Sequence, residues 1–600
     1  MLVSQFVSGV SAEFSLVRSG NQLTATFYYG LIGLEDEGGI FLWDGEIGAA
    51  IGAFGDYLNQ TSDRPMDLQF VATLTPGANT AASYFVNDNI GGAAFDHAFN
   101  IVIFDTTANF IGTSGVDLVF GSASADVFRT SGVGDMFEGG SGNDFYRIYH
   151  ANTKVFETAG GGTDDRIASY VSYVLAPGVA VEQLTTNSAS ETYRINLTGN
   201  ALAQTITGNA GNNVLRDGGG AGDVLIGLGG NDIFQVYSAA TTIHEGLNGG
   251  FADRVMTAVS YTLAAGAEIE ILTTNGSSGK SKIDLTGNEF SQRIYGNTGD
   301  NVLTGGGGSD TLNGGGGKDT LKGGAGDDTL FVFSSSDVFE ELGGGGQDRL
   351  VAAVSWVLDV DDEIETLSTE DLAGKAPIDL TGNGIAQTLI GNAWVNRLDG
   401  AGDRDILIGG GGGDILIGGT GLDYASYEFS KAGLTVNLAN PNLNTGEAAG
   451  DSYSGIEGIV GSRFADTLSA NAGSNVLDGH GGADKISGLA GADSFVFSAW
   501  LGTDNIDTIT DFTAIDDTIR LENAIFTTLT ATGALAVSAF RANMTGLAGD
   551  ANDRIIYETD TGKLFYDADG NGARAAIQFA TLAATPVGPP TITAADFVVI

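Results

Sequence analysis

Carboxylates recur at a fixed nine-residue step in the middle of the chain. Asp310, Asp319 and Asp328 lie in three consecutive nonapeptides, each of the form Gly-Gly-x-Gly-x-Asp-x-Leu-x, that begin at Gly305. A glycine-rich turn can direct its backbone carbonyls and one carboxylate towards a common point. Such a set of oxygen ligands is the kind that hard cations prefer. The spacing therefore predicts a row of oxygen-donor cation sites.

The same nonapeptide predicts the element that must position these carboxylates. Glycines at positions 1, 2 and 4 are expected to adopt backbone angles that a side chain would forbid, which makes the first six residues a tight turn. The leucine at position 8, between polar residues, predicts a very short strand with one inward side chain. Two nonapeptides then form one coil, so Asp310 should stack above Asp328 while Asp319 lies on the opposite edge.

Stacked carboxylates need a counter-charge. Two of them in contact repel by roughly 4 kcal/mol at an effective dielectric constant of about 20. A compact structure therefore requires a cation between them, and oxygen ligands alone favour calcium over a transition metal. A flexible glycine-rich linker would keep no fixed phase of Asp and Leu. Since the phase persists through several blocks of the sequence, we expect ordered repeats.

These repeats resemble those of the RTX family of secreted calcium-binding proteins. The resemblance implies an all-β fold, a parallel β-roll or β-solenoid in several blocks, with Ca2+ between successive turns held by the position-6 Asp and by turn carbonyls. A small N-terminal β domain and a C-terminal β cap are expected to flank it. The predicted metal ligands are the position-6 aspartates Asp117, Asp126, Asp135, Asp144, Asp223, Asp232, Asp310, Asp319, Asp328, Asp405, Asp414, Asp423, Asp466, Asp484 and Asp493.

A longer module, itself present in three copies, contains some of these blocks. Its copies are recognised by acidic residues at equivalent positions and by a common Ile-x-Leu-Thr-Gly-Asn phrase. The acidic positions are Asp165, Asp253 and Asp348, then Glu182, Glu270 and Glu365, and the phrases begin at Ile195, Ile283 and Ile378.

Each phrase is followed by a calcium-type block of nonapeptides, which we call a cassette. Each of these cassettes opens with amides at position 6, at Gln204, Gln292 and Gln387 and then at Asn213, Asn301 and Asn396. Because an amide oxygen is neutral, these opening coils are expected to bind ions weakly or not at all. One additional residue between Asn213 and Asp223 leaves the geometry of that coil open.

The remaining sequence divides around the cassettes. Residues 1–110 carry no nonapeptides, and alternation such as that of Leu68, Phe70 and Ala72 predicts strands. Trp43 is either a core residue or a ligand platform. The predicted divisions are 1–110 (N-terminal β-rich domain), 111–151 (first cassette), 152–238, 239–334 and 335–425 (modules with the second, third and fourth cassettes), 426–461 (spacer), 462–500 (fifth cassette) and 501–600 (cap and secretion signal).

The C-terminal hundred residues resemble the folded cap that ends many RTX rolls. Within them Asp567, Asp569 and Asn571 have the spacing of half an EF-hand loop, but Gln578 stands where the loop needs a glutamate. A structural turn and a further calcium site both remain open there. The final ADFVVI resembles an uncleaved type I secretion signal, and the first residues lack the features of a cleaved signal peptide. We therefore expect export by a type I secretion apparatus to an extracellular or cell-surface location.

Composition excludes several classes of partner. Asp and Glu number 74 against 26 Lys and Arg, a net charge of −48, so nucleic acid is not an expected partner. Cysteine is absent, which removes disulfides and thiolate zinc sites. No apolar run is long enough to span a bilayer as a helix, so no transmembrane helix is expected.

Catalytic motifs are also missing from the sequence. The four histidines form no H-E-x-x-H zinc motif, and no G-x-S-x-G nucleophile elbow occurs. We therefore expect no enzymatic activity, and a secreted scaffold, structural or adhesive towards a cell surface or an extracellular polymer, that folds on calcium after export. The alternative is a secreted hydrolase or toxin whose active part is the N-terminal β-rich domain.

Overall fold

The computed structural model describes residues 109–600 except 113, 115, 221, 248, 342–344 and 585–587, with backbone alone at 116 and 118. Of the preceding region it describes the backbone of seven strands: Leu2–Val7, Val10–Ser19, Gln22–Leu31, Phe41–Leu42, Asp67–Thr73, Thr80–Ile90 and Ala93–Ile103. The chain divides into two compact units, Met1–Gly296 and Asn297–Ile600.

The N-terminal strands confirm the prediction of a β-rich region. Four of them form an antiparallel sheet in the order Leu2–Val7, Val10–Ser19, Gln22–Leu31, Asp67–Thr73. The hairpin of Thr80–Ile90 and Ala93–Ile103 belongs to a different sheet, since Ala93–Ile103 pairs in parallel with Val116–Phe120. The N-terminal region thus shares a sheet with the first repeats. Trp43 lies outside the described residues.

The rest of the first unit is a parallel β-roll. One sheet continues from Val116–Phe120 to Met136–Glu138 and Lys154–Phe156. A second has the order Asn109–Ile111, Val127–Arg129, Phe145–Ile148, Arg166–Ser169, Gln183–Thr186, Thr205–Thr207, Val224–Ile226, Thr242–His244. A third row contains Tyr173–Val174, Leu197–Thr198, Val214–Arg216, Ile233–Val236, Arg254–Thr257, Ile271–Thr274 and Arg293–Tyr295, and Tyr261–Thr262 pairs with Leu285–Thr286.

The second unit repeats this architecture. Its longest parallel row is Thr311–Asn313, Thr329–Val332, Arg349–Ala352, Thr366–Thr369, Thr388–Ile390, Ile406–Ile408, Tyr424–Ser426, Gly458–Val460, Val476–Asp478, Ser494–Phe497, Thr518–Leu521 and Phe597–Val599. The facing rows are Val302–Gly307, Thr320–Ala325 and Val338–Glu340, then Trp356–Val357, Leu380–Thr381, Arg397–Asp399, Ile415–Ile417 and Ser452–Ser454, then Thr435–Asn437, Thr467–Ser469, Lys485–Ser487, Asp507–Ile509 and Ile577–Leu582.

Register confirms that two nonapeptides form one coil. Leu312 pairs with Leu330, and Leu303 pairs with Leu321, so each leucine lies beside the one two nonapeptides further along the chain. All four leucines have no exposed surface. Burying a leucine side chain contributes roughly 1.5–3 kcal/mol, and the repeat supplies one such residue per nonapeptide. The position-8 column is therefore the core, and the turns are left at its edges.

A β cap closes the second unit, as predicted. Lys563–Tyr566 pairs antiparallel with Ile577–Leu582 and with Ile555–Glu558, which in turn pairs with Phe540–Asn543, while Gly533–Ala534 pairs with Phe597–Val599. Phe526 packs edge-to-face against both Phe579 and Tyr566, and all three rings are buried. The cap thus has an aromatic core of its own.

Helical structure in the described residues is limited to the 3-10 turns Pro441–Leu443, Gly446–Ala448, Val537–Ala539 and Ala594–Asp596. None of the helices described is long and apolar enough to cross a bilayer.

Candidate metal centre

Aspartates one coil apart are joined by a backbone-to-carboxylate hydrogen bond. The backbone N–H of Asp310 donates to Oδ1 of Asp328 at 2.7 Å, and that of Asp405 donates to Oδ1 of Asp423 at 2.9 Å. The same bond joins Asp117–Asp135, Asp126–Asp144, Gln204–Asp223, Asn213–Asp232, Asn301–Asp319, Gln387–Asp405, Asn396–Asp414, Asp466–Asp484 and Asn475–Asp493. The carboxylates therefore form columns along the turns of each unit.

Asp319 belongs to the other column, as the coil geometry predicted. Its carboxylate accepts from the backbone of Asn301, and its own N–H donates to Oδ1 of Asp337 at 3.0 Å. The additional residue between Asn213 and Asp223 does not break the stack. The turn absorbs it, because the hydrogen bond from Asn213 to Asp232 is kept at 2.7 Å despite the longer step.

The second carboxylate oxygen of many stacked aspartates has no hydrogen-bond partner. This holds for the buried Oδ2 atoms of Asp135, Asp144, Asp223, Asp232, Asp328, Asp405, Asp414, Asp423 and Asp484. A buried polar atom without a partner costs roughly 1–3 kcal/mol, and more when the group is charged. Repeated at so many equivalent positions, this cost indicates that a ligand normally occupies the space in front of these oxygens.

The opening amides make the opposite arrangement. Nε2 of Gln204 donates to Oδ1 of Asn200 at 2.9 Å, and Nδ2 of Asn213 donates to the backbone carbonyl of Ile195 at 2.9 Å. In the fourth cassette Nδ2 of Asn396 donates to the carbonyl of Ile378 at 2.8 Å. An amide nitrogen thus supplies the donor that the aspartate turns lack. The opening coils satisfy their own polar groups, whereas the aspartate coils do not.

Burial raises the pKa of several of the stacked carboxyls. The pKa of Asp405 rises to about 8, mainly because the group is buried and further because the Asp423 charge is near. Burial likewise raises the pKa of Asp144 and of Asp414 to about 7, and the carboxylates next to them add to the effect. Backbone hydrogen bonds oppose these shifts without overcoming them. Without a cation these groups would be partly protonated at neutral pH.

The position-1 glycine marks where the oxygens converge. A Cβ atom on Gly305 would lie less than 3.0 Å from both Oδ2 of Asp310 and the carbonyl oxygen of Gly323 in the next coil. A Cβ atom on Gly400 would meet Asp405 and Gly418 in the same way. A carboxylate oxygen and a carbonyl oxygen therefore border one small space. This combination suits a hard divalent cation.

The turn glycines correct one expectation from the sequence. Positions 2 and 4 do adopt positive φ, 115° at Gly306 and 85° at Gly308. Position 1 does not, so the prediction that its backbone angle demands glycine is wrong. The physical reason is steric, because a side chain at Gly305 would displace the carboxylate of Asp310.

A family comparison agrees with this geometry. The family described as "RTX calcium-binding nonapeptide repeat (4 copies)" matches residues 111–146, 198–234, 286–321, 295–330, 313–340, 390–425 and 460–495. The chain carries RTX calcium-binding nonapeptide repeats in several copies. RTX nonapeptides bind Ca2+, so calcium is the cation that fits these turns. No curated protein matches the chain.

Two predicted RTX aspartates have a different environment. Oδ2 of Asp126 accepts from the backbone of Ser122 at 2.6 Å, and Oδ1 accepts from the serine hydroxyl at 3.2 Å. Asp466 receives the same pair of donors from Ser462. In both turns serine replaces the glycine at position 2 and supplies the hydroxyl. These carboxylates stack as the others do but are already partnered.

The RTX columns also include acidic residues that the nonapeptide pattern did not assign as ligands. They continue the same hydrogen-bonded stacking beyond the ends of the cassettes. They are Asp165, Asp253 and Asp348, then Glu182, Glu270 and Glu365, and in the second unit also Asp337, Asp451, Glu457, Asp507 and Asp517. The first six were recognised from the module repeat, but their part in the columns depends on loops whose length the sequence does not fix.

The half EF-hand sequence forms a turn held by hydrogen bonds within the protein. The N–H of Asp569 donates to Oδ1 of Asp567 at 3.2 Å, and Oδ2 of Asp569 accepts from the N–H of Arg574 at 3.2 Å. The N–H of Asn571 donates to the carbonyl of Asp550 at 3.0 Å. These bonds account for the shape of the loop.

Replacing a position-1 glycine should disable one RTX turn. In Gly409→Ala the new Cβ would lie less than 3.0 Å from Oδ2 of Asp414, so the carboxylate must move. Loss of one site should lower the free energy of unfolding by about 1.4 kcal/mol at a calcium concentration ten times the dissociation constant. Urea denaturation of the full chain at fixed calcium measures this.

The matched control is Gly411→Ala in the same turn. Its nearest neighbour would be Cα of Ala393 at 3.6 Å, an ordinary contact, and its φ is not positive. This variant should match the parent chain or be slightly more stable. Equal losses in both alanine variants would contradict the assignment of the space beside Gly409 to a cation.

Stacked aspartates should couple energetically, and aspartates of opposite columns should not. Asp310→Asn and Asp328→Asn share a turn column, so their effects on the free energy of unfolding in calcium should be non-additive by about 0.5–3 kcal/mol. Asp310→Asn and Asp319→Asn lie on opposite edges and should add within about 0.5 kcal/mol. Additivity in the first pair would argue against shared sites.

Proposed function

We propose that this RTX chain is a secreted calcium-binding scaffold that folds on calcium after export. The observation that carries the proposal is the column of buried carboxylates, repeated through both units, in which the second oxygens of Asp135, Asp232, Asp414 and others have no partner. Extracellular calcium modules have dissociation constants of roughly 10⁻⁴–10⁻³ M, whereas cytosolic sensors work at about 10⁻⁷–10⁻⁵ M. Sites as weak as the former stay mostly empty inside a cell and fill outside it.

An unfolded chain in the cytosol suits export through a type I apparatus. A net charge of −48 opposes compaction when no cation is bound. The chain would then pass the apparatus in an extended state and meet calcium on the other side. Membership of the RTX family, whose members are typically secreted, supports this route.

We further propose that the folded chain acts structurally or adhesively and not as an enzyme. Among its described residues the position-6 carboxylates are buried in the turns, whereas other acidic side chains, such as Asp300, Asp327 and Glu340, are exposed on the surface of the roll. An extended acidic surface can bind a cell surface or an extracellular polymer through bridging calcium ions. We include residues 1–110 in this proposal, so that they too have a structural or adhesive role and not a catalytic one.

A secretion and binding assay tests this function. The full chain is produced in host cells with and without a type I transporter, and it should reach the medium only with the transporter. The purified calcium-loaded chain should then sediment with cells or with an acidic extracellular polysaccharide and be released by a chelator. Calcium-dependent hydrolysis of peptide, ester or glycoside substrates, or leakage of lipid vesicles, would instead support the enzyme or toxin alternative.

A further inference from the structure

Each long module contains a buried cluster of three carboxylates where its preceding RTX cassette ends. In each cluster one oxygen atom from every residue lies within 4.8 Å of the other two. We name these clusters the junction triads: Asp144–Glu157–Asp165, Asp232–Glu245–Asp253 and Asp328–Glu341–Asp348. No side chain in the triads is more than 6% exposed.

The glutamate of each triad replaces a turn glycine. Glu157, Glu245 and Glu341 lie two nonapeptides after the position-1 glycines Gly139, Gly227 and Gly323, and so occupy position 1 of the next coil. A Cβ atom on Gly227 would lie less than 3.0 Å from oxygens of both Asp232 and Glu245.

In an ordinary RTX turn a carbonyl oxygen occupies the equivalent place. Beside Gly305 the two converging oxygens belong to the carboxylate of Asp310 and the carbonyl of Gly323. The junction triads therefore exchange a neutral carbonyl for a charged carboxylate. The site keeps its position in the column and gains a negative charge.

The second triad shows that these oxygens are directed at a ligand. Glu245 is 3% exposed, and neither of its carboxylate oxygens has a hydrogen-bond partner. Oδ2 of Asp232 and Oδ2 of Asp253 are also buried without a partner. Oδ1 of Asp253 accepts from the backbone of Asp232 at 2.6 Å, which fixes the two aspartates relative to each other. Three buried anions in contact are stable only with a cation among them.

We propose that the three junction triads are a separate class of calcium site that binds more tightly than the nonapeptide turns and fills first. Calcium affinity rises with the number of charged ligands and with the rigidity of the site, and each triad supplies three buried carboxylates. The ion joins the last cassette turn to the loop that follows it. Filling the triads first fixes the register of each module on the cassette before the weaker turns bind. This order of filling rests on the calcium-dependent folding proposed above.

The first triad carries its own reporter. The hydroxyl of Tyr146 donates a hydrogen bond to the carboxylate of Glu157. The equivalent position is Phe234 in the second triad and Leu330 in the third. Terbium, a trivalent substitute for calcium, should therefore luminesce on tyrosine excitation when it enters the first triad, and Tyr146→Phe should remove that signal.

The experiment is calcium and terbium titration of the full chain. Calorimetry should show a tight class, with one ion for each triad, followed by a weaker class. The combined variant Glu157→Gln, Glu245→Gln and Glu341→Gln should lose the tight class, with the calcium concentration for half-filling raised about tenfold or more. Glu340→Gln is the matched control, because Glu340 is exposed, pairs with Lys322 and is the neighbour of Glu341.

The outcomes separate this proposal from the proposed function. A combined variant that keeps the tight class, or an early terbium signal that survives Tyr146→Phe, would overturn the junction sites while calcium-dependent folding stands. A parent chain that binds no calcium would overturn both. Circular dichroism at saturating calcium should show that the combined variant still forms its roll. If it does not fold, the terbium titration of Tyr146→Phe, which removes no ligand, decides.

Discussion

Removing calcium from the full chain at neutral pH should convert the roll into an expanded, protease-sensitive chain. The reason is the column of buried carboxylates, which repel one another and many of whose second oxygens have no hydrogen-bond partner. Each site filled at ten times its dissociation constant contributes about 1.4 kcal/mol, and on the order of ten sites contribute about 14 kcal/mol. A whole domain has a net stability of only about 5–15 kcal/mol. Circular dichroism and small-angle scattering, with and without a chelator, measure the change.

Magnesium provides the matched control for this prediction. Mg2+ carries the same charge but requires near-ideal octahedral geometry and keeps several waters, so it should restore the roll poorly. Restored calcium should bring back the β spectrum and the compact dimensions. If magnesium were as effective as calcium, general charge screening would explain the transition better than specific sites do.

Acid should partly substitute for calcium in the chelated chain. Burial raises the pKa of Asp405 to about 8 and that of Asp144 to about 7, against an ordinary value of 3.8. A carboxyl whose pKa is higher in the folded state favours folding most at low pH and loses that contribution as pH rises through the folded value. The calcium-free roll should therefore gain stability as pH falls from about 8 towards 5. Circular dichroism of the chelated chain across this range gives the midpoint.

The calcium-loaded chain should respond to pH in the opposite direction. Protons compete with calcium for the same carboxylates, so the calcium concentration that half-fills the sites should rise as pH falls. The pH range from about 5 to 8 lies above the sequence pI of about 4.1, the pH at which a protein is least soluble. A chelated chain as unfolded at pH 5 as at pH 8 would show that carboxylate repulsion is not what keeps it open.

The nine-residue step made the fold and its columns predictable. Once glycine-rich turns and inward leucines alternate, two nonapeptides per coil follow, and with them the stack of Asp310 on Asp328. The amide coils were recognised from the neutral Gln204 and Asn213 at position 6, although the hydrogen bonds that hold these side chains emerged only from the structure. At the stacked aspartates and at the opening amides, the residue type and the nine-residue period pointed to the same coil geometry.

The junction triads could not be predicted in the same way. Glu157 and Asp165 enter one site only because a turn longer than a nonapeptide brings them together, and loop length hides the register. A signal did exist in the sequence, since Glu157, Glu245 and Glu341 each follow the last aspartate of a cassette at the same distance along the chain. The common distance predicts a shared site only when it is known where in the coil each glutamate lies.

Hydrogen–deuterium exchange of the full chain at neutral pH, with calcium and with chelator, tests most directly whether cations hold the roll together. Backbone amides of the central strands, such as those of Leu312 and Leu330, should exchange slowly in calcium and almost at once without it. Amides in these strands that stay protected after all metal has been removed would contradict this expectation.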